Sequence, residues 1–214
     1  MECVLANTAR GPGRPPAGVS GETRDRIVRA ARDVFSEAGY DAATMQAIAI
    51  RADLTRPAIS YYFASKRVLY GEVVEKNTEM VAAAALAVAE TQLPFLERLS
   101  AFFAATMHAD TLDRSAAAFI ATSILESQRH PELGDNDTNL LTTSRAFVTQ
   151  VVTDAIERGE LTTDTDVATL VELLVAVVCG LSVYAGADVR RHDGLGTLME
   201  TLKRLLANEL WTLQ

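Results

Sequence analysis

The 214-residue chain is 49% hydrophobic but only 6% aromatic, and its 20 Lys and Arg against 28 Asp and Glu give a formal net charge of −8. That is enough apolar residue for one large core or two small ones, and the Ala- and Leu-rich balance favours helix over sheet. Cys3 and Cys179 are too few and too far apart for a disulfide framework, which fits a reducing intracellular setting.

Residues 1–20 are rich in Gly, Pro and small residues and are expected to form an irregular N-terminal arm. Arg10-Gly11-Pro12-Gly13-Arg14-Pro15-Pro16 has some likeness to arms that place Arg in a minor groove, although a solvated tail is the plainer reading. The acid at position 2 and the lack of a long apolar run argue against a signal peptide. A first helix is expected over about 22–38. Ile27, Ala30, Ala31, Val34 and Phe35 line one face, while Arg24, Arg26, Arg29 and Arg32 lie mainly off it. Ser20 or Thr23 would cap it and Gly39 would stop it.

The next stretch, Thr44 to Leu69, reads as two short helices and the start of a third. Thr44 caps the first, which carries Met45, Ile48, Ala49 and Ala52 at helical spacing. Asp53-Leu54 breaks the pattern. Thr55 caps the second, with Pro57 in its first turn and Ile59 and Phe63 one turn apart on its inner side. Ser65 caps the third. Two short helices joined by a tight turn describe a helix-turn-helix, and the second would expose Thr55, Arg56, Ser60, Tyr61 and Tyr62.

The stretch resembles the DNA-binding segment of TetR-family transcriptional regulators. The matching residues are Thr44, Ile48-Ala49, Ala52, Tyr62-Phe63, Ser65-Lys66 and Leu69, with Gly39-Tyr40 as the link from the first helix. Asp53 stands where the family usually has a turn Gly, and Ser60 where a Tyr is common. The resemblance implies major-groove contacts by Thr55, Arg56, Pro57, Ala58, Ser60, Tyr61 and Tyr62. Thr44 and Lys66 would hold phosphates, and Arg24, near the start of the first helix, would reach another or stand exposed without a partner.

From Ser65 to about Glu90 one long helix would carry Leu69, Val73, Met80 and Val81 inward and would join the head to the rest of the chain. Further helices are expected over about 94–108, 114–128, 137–158, 164–184 and 193–211, separated by polar or Gly- and Pro-containing breaks. Asp164 is the expected cap of the segment over 164–184, and Gly159 the stop of the one before it. Between Val167 and Val183 the only charge is Glu172, so this helix must be covered on more than one side. Leu173, Ala176, Val177, Gly180 and Tyr184, with Leu198, Leu202 and Leu205 of the last helix, would pack against a second copy. A central core helix of a monomer is the alternative. The uncharged run Leu173–Ala187 is shorter than the roughly 20 residues of a membrane span.

The charge is unevenly divided. Residues 1–70 hold ten Lys and Arg against seven acids, a net of +3, which leaves −11 for the remainder. The basic end is the one suited to a polyanion. The three histidines are dispersed and lack metal-ligand spacing, and there is no phosphate-binding loop, nucleophile elbow or calcium loop. The chain is therefore expected to have no cofactor, no bound metal and no enzymatic activity. Met80, Phe95, Phe102, Phe103, Met107, Phe119 and Phe147 could line a pocket for a small apolar ligand or could fill a dry core. The expected organisation is all-α: an arm (1–20), a DNA-binding head (21–81, helix-turn-helix 44–63) and an effector-binding and dimerisation body (82–214). The partners implied are near-palindromic double-stranded DNA and a second copy of the chain in the cytoplasm, with no membrane.

Overall fold

The computed structural model describes residues 17–89, 91–108, 115–187 and 194–207. Among these residues the structure is helical throughout. The order is α1 (Ala17–Ala42), α2 (Met45–Arg51), α3 (Arg56–Tyr62), α4 (Lys66–Ala89), α5 (Phe95–His108), α6 (Ser115–Arg129), a 3₁₀ turn (Pro131–Leu133), α7 (Gly134–Glu157), α8 (Val167–Ala187) and α9 (Gly194–Leu206). The all-α expectation holds. The Arg-containing arm, the Ser20 side chain, Arg114 and the last helix beyond Ala207 lie outside the described residues.

Local sequence explains most of the boundaries. Gly39 interrupts α1 with φ 75, and only three residues, Tyr40–Ala42, continue the helical track beyond it. α2 ends in a Schellman motif: Asp53 N–H donates to the Ile50 carbonyl and Leu54 N–H to that of Ala49. Asp53 occupies the left-handed position with φ 51. α7 ends the same way, with Gly159 (φ 69) donating to Ile156 and Glu160 to Ala155. One motif is therefore built twice, once on Gly and once on Asp. At the start of α8 the sequence reading is corrected. Asp166, not Asp164, accepts the Thr169 N–H at 3.0 Å, and the helix begins at Val167.

Two apolar cores form, and α4 runs through both. The first gathers Ile27, Ala31 and Phe35 of α1 with Ile48, Ile59, Phe63, Leu69, Tyr70 and Val73. It is completed by Phe119 of α6 and Leu133 of the 3₁₀ turn, two residues of the body. The second is built on Val81, Val88, Phe102, Ile120, Phe147, Val148, Val151, Val152, Val171 and Leu174. Arg98 of α5 lies at its edge with its side chain 2% exposed, donating to Asp154 Oδ2 at 3.0 Å.

α8 packs on α6 and α7, and Glu172 pairs with Arg145 of α7. The opposite side is open: Leu173, Ala176, Gly180, Val183 and Tyr184 are exposed, and Val177 is half-buried. On α9, Leu205 is exposed while Leu198 and Leu202 are half-buried. The sequence reading had this apolar run too short to cross a membrane. The helix is longer, and Val167–Tyr184, with a hydropathy of 2.2, is long and apolar enough by length and composition alone. Its contacts with α6 and α7 make it a helix of the body.

Candidate nucleic-acid interface

Thr44 and Thr55 stand at the N-caps of α2 and α3, with extended backbone angles. Their Oγ1 atoms accept the N–H groups of Ala47 and Ala58 at 3.1 and 3.3 Å. Each hydroxyl keeps its own proton for donation, and both residues are exposed. The caps fix where the two short helices begin, which is what a seven-residue helix needs, since so few turns give little intrinsic stability.

α3 has two dissimilar sides. Ile59 and Phe63, fully buried, hold it to the head. Arg56, Pro57, Ser60 and Tyr61 are exposed, and Tyr61 is 73% exposed. Ala58 and Tyr62 are half-buried at the margin. The Tyr61 and Tyr62 rings meet edge to face at 5.3 Å. Arg56 makes no ion pair among the described residues. The result is a short ridge carrying one guanidinium, hydroxyls and an aromatic edge, with no acid on it.

Two of the residues expected at phosphates are engaged within the protein. The Lys66 ammonium donates to the carbonyls of Tyr40, Asp41 and Ala43 at 2.6, 3.2 and 3.0 Å and lies 4.3 Å from the centre of the Tyr40 ring. An ammonium has three protons, and here all three have acceptors in the α1–α2 link. Lys66 is a strut that ties the start of α4 to the end of α1. Arg24 forms a two-armed ion pair with Glu72 of α4 and stacks over the Phe63 ring at 4.9 Å. Its charge is neutralised within the head.

Two cations that the sequence left unassigned are also held by internal acceptors. Arg51 pairs with Glu37, which holds that carboxyl below the usual range, and also reaches Asp33. Arg67 donates to the Glu132 carbonyl at 2.5 Å. No local spacing announces these pairs, because their members are up to 65 residues apart. The His130 cluster described below was missed for the same reason.

Most of the expected pocket residues are divided between the two cores. Phe102 and Phe147 stack on each other at 4.1 Å and fill the body core. Phe119 lies in the other core, against Tyr70 at 5.6 Å. Met80 and Phe95 are partly buried against the body core, and the Met107 side chain lies outside the described residues. Phe103 lines an apolar cavity of about 30 Å³, shared with Leu99, Leu174, Val177, Met199 and Leu202. A larger surface cleft, about 680 Å³, runs along α4 and is lined by Glu72, Glu75, Glu79 and Glu132. None of the expected residues lines it.

Two capped helices at a tight turn, the second sealed on one side and polar on the other, define a helix-turn-helix DNA-binding protein. Residues 27–73 match the bacterial regulatory proteins of the tetR family, and residues 96–193 match the tetracyclin repressor-like C-terminal domain. The chain belongs to the TetR family of transcriptional regulators, which are not enzymes. It is 27% identical over 171 residues to the HTH-type transcriptional regulator UidR of Escherichia coli K12, covering 80% of this chain and 83% of that one. The structure of Salmonella enterica GusR superposes with a TM-score of 0.63 at 25% identity, covering 87% and 96% of the two chains. FadR of Bacillus subtilis, solved with stearoyl-CoA, shares the fold with a TM-score of 0.71 at 19% identity over 87% and 99%.

Proposed function

We propose that this DNA-binding regulator is a homodimeric repressor. Two copies of α3 would enter successive major grooves of a near-palindrome about 34–36 Å apart. The observation that carries the reading is the polarity of α3: Ile59 and Phe63 are sealed while Arg56, Ser60 and Tyr61 face outward with no acid among them. Arg56, Ser60, Tyr61 and Tyr62 would read bases, with Pro57 and Ala58 supplying apolar surface. Thr44 and Thr55 would donate to phosphates. The open apolar side of α8, with Ala176 and Gly180 permitting close approach, supports a second copy there, joined by Leu198, Leu202 and Leu205 of α9. Such a regulator works in the cytoplasm, on the chromosome.

The test begins with a duplex selected from random DNA by the wild-type protein. Arg56→Ala and Tyr61→Ala are expected to weaken its binding by about 1–3 kcal/mol each while leaving the dimer folded. Unchanged binding in both variants overturns the assignment. Sedimentation as a monomer at micromolar concentration overturns the dimer.

Relief of repression would come from a small apolar effector in the body that binds the DNA-free and DNA-bound states unequally. The second reading, a constitutive regulator without an effector, is favoured by one observation. The apolar cavity that Phe103 lines is small, about 30 Å³, and Phe102 and Phe147 stack on each other within the body core. A thermal-shift screen against apolar metabolites separates the two. A reproducible rise in melting temperature supports the first, and a screen with no rise supports the second.

A further inference from the structure

His130 sits at the joint between head and body, and both of its ring nitrogens face carboxylates. Nε2 lies 3.2 Å from Asp41 Oδ2, at the end of α1, and 3.5 Å from Oε2 of Glu126 on α6. Nδ1 lies 3.1 Å from Glu132 Oε1 in the 3₁₀ turn. A neutral imidazole carries one N–H, so one nitrogen would turn a lone pair toward an oxygen anion. Only the imidazolium offers a proton on both sides.

One side of the cluster is close-packed, while the Asp41 and Glu132 side chains are 80% and 56% exposed. Glu126 is 4% exposed, and a Cβ on Gly39 would come within 2.8 Å of its Oε1, so the carboxylate lies directly against the break in α1. The Tyr40 ring packs on the imidazole at 5.2 Å and on Tyr70 at 5.0 Å. The other charges around the joint are Lys66, held by the Tyr40, Asp41 and Ala43 carbonyls, Arg67 on the Glu132 carbonyl, and Arg129, 3.8 Å from Glu126 Oε1. Among the described residues His130 is the cation paired with both Asp41 and Glu126.

We propose that His130 is a proton-operated clasp between the body and the DNA-binding head. As an imidazolium it ties Asp41 of the head to Glu126 and Glu132 of the body, and when it loses its proton the tie becomes a repulsion. Burial acts to lower the imidazole pKa, but the hydrogen bond to Glu132 and the charges of Asp41 and Glu132 outweigh it and raise the pKa above the ordinary 6.5. A raised folded-state pKa stabilises fully below the unfolded value and loses that stabilisation as pH rises through the folded value. The clasp is therefore closed at mildly acidic pH and open at alkaline pH. Because α4 begins at this joint and α1 ends there, opening it frees the angle at which the head is held.

The effect on DNA rests on the proposed function, and the test separates the two. First, without DNA, the full-length wild type, His130→Gln and Asp41→Asn are denatured at about pH 5.5 and about pH 8.5. The wild type is expected to be the more stable at the lower pH, with its advantage over both variants vanishing at the higher. Parallel behaviour at the two pH values overturns the clasp. Second, affinity for the selected duplex is measured over the same range at constant ionic strength. The pH dependence of the wild type is expected to differ from that of His130→Gln by about fivefold or more. Superimposable binding profiles alongside a stability difference overturn the coupling to DNA, and loss of the DNA reading itself would show as absence of binding by the wild type at every pH.

Discussion

Lys66→Met separates the strut from the phosphate contact that the sequence suggested. Met keeps the aliphatic stem and removes only the ammonium. Of the three carbonyls that lose their donor, those of Tyr40 and Ala43 are partly buried at 2.6 and 3.0 Å, while that of Asp41 at 3.2 Å is open to water. Hydrogen bonds from a charged donor contribute about 1.5–3 kcal/mol where water cannot replace them. Counting the two sheltered ones with partial resolvation, and about 0.5–1 kcal/mol for the ammonium over the Tyr40 ring, gives a loss of about 3 kcal/mol. For a chain of this size that corresponds to a fall in Tm of about 6–12 °C. Thermal unfolding at one fixed protein concentration measures it, since a dimer's Tm depends on concentration. The slope of log affinity against log salt is measured in parallel. A phosphate-binding lysine would leave Tm alone and reduce that slope by about one unit. That second pattern would refute the strut.

Two further substitutions probe the fold. Asp53→Gly replaces the left-handed Asp of α2 with the residue that α7 uses in the same motif, and is expected to stabilise by about 0.5–1 kcal/mol after the entropy of Gly is set against the relieved strain. Chemical denaturation checks it, and a neutral or destabilising result would show that the Asp side chain contributes something the backbone does not reveal. Asp154→Ala leaves the Arg98 guanidinium buried without its partner and is expected to cost about 3 kcal/mol, whereas Arg98→Met is expected to cost about 1 kcal/mol or less, because the partly exposed Asp154 can be rehydrated. If the denaturant midpoints rank the other way, the burial argument is wrong.

What could be read from the sequence follows from the range of each interaction. Caps, helix stops and one-sided apolar spacing are local, so Thr44, Thr55, Ser65, Gly39 and Gly159 marked their boundaries directly. The outward residues of α3 follow from the same periodicity, since Ile59 and Phe63 set which side is inward. The fates of the head's cations do not. Whether Arg24 faces solvent or Glu72, and whether Lys66 reaches outward or back to three carbonyls, is decided by contacts 23 to 48 residues away in the chain. The distribution of the expected pocket residues has a related cause. Composition identifies Phe102, Phe119 and Phe147 as large and apolar, but which ring fills which core depends on helix packing, and Phe119 went to the head.

That placement of Phe119 bears on how such regulators could be recombined. With Leu133 it closes the floor of the core that holds α1, α3 and the start of α4 in place. A head excised after α4 would leave that floor open, with Tyr70 facing water, and a head transplanted onto another regulator's body would meet whatever side chains that body presents in their place. Chimeras between relatives should therefore keep their own α6 and the 3₁₀ turn together with the head, and the inherited unit of DNA specificity is larger than the stretch of chain that touches DNA.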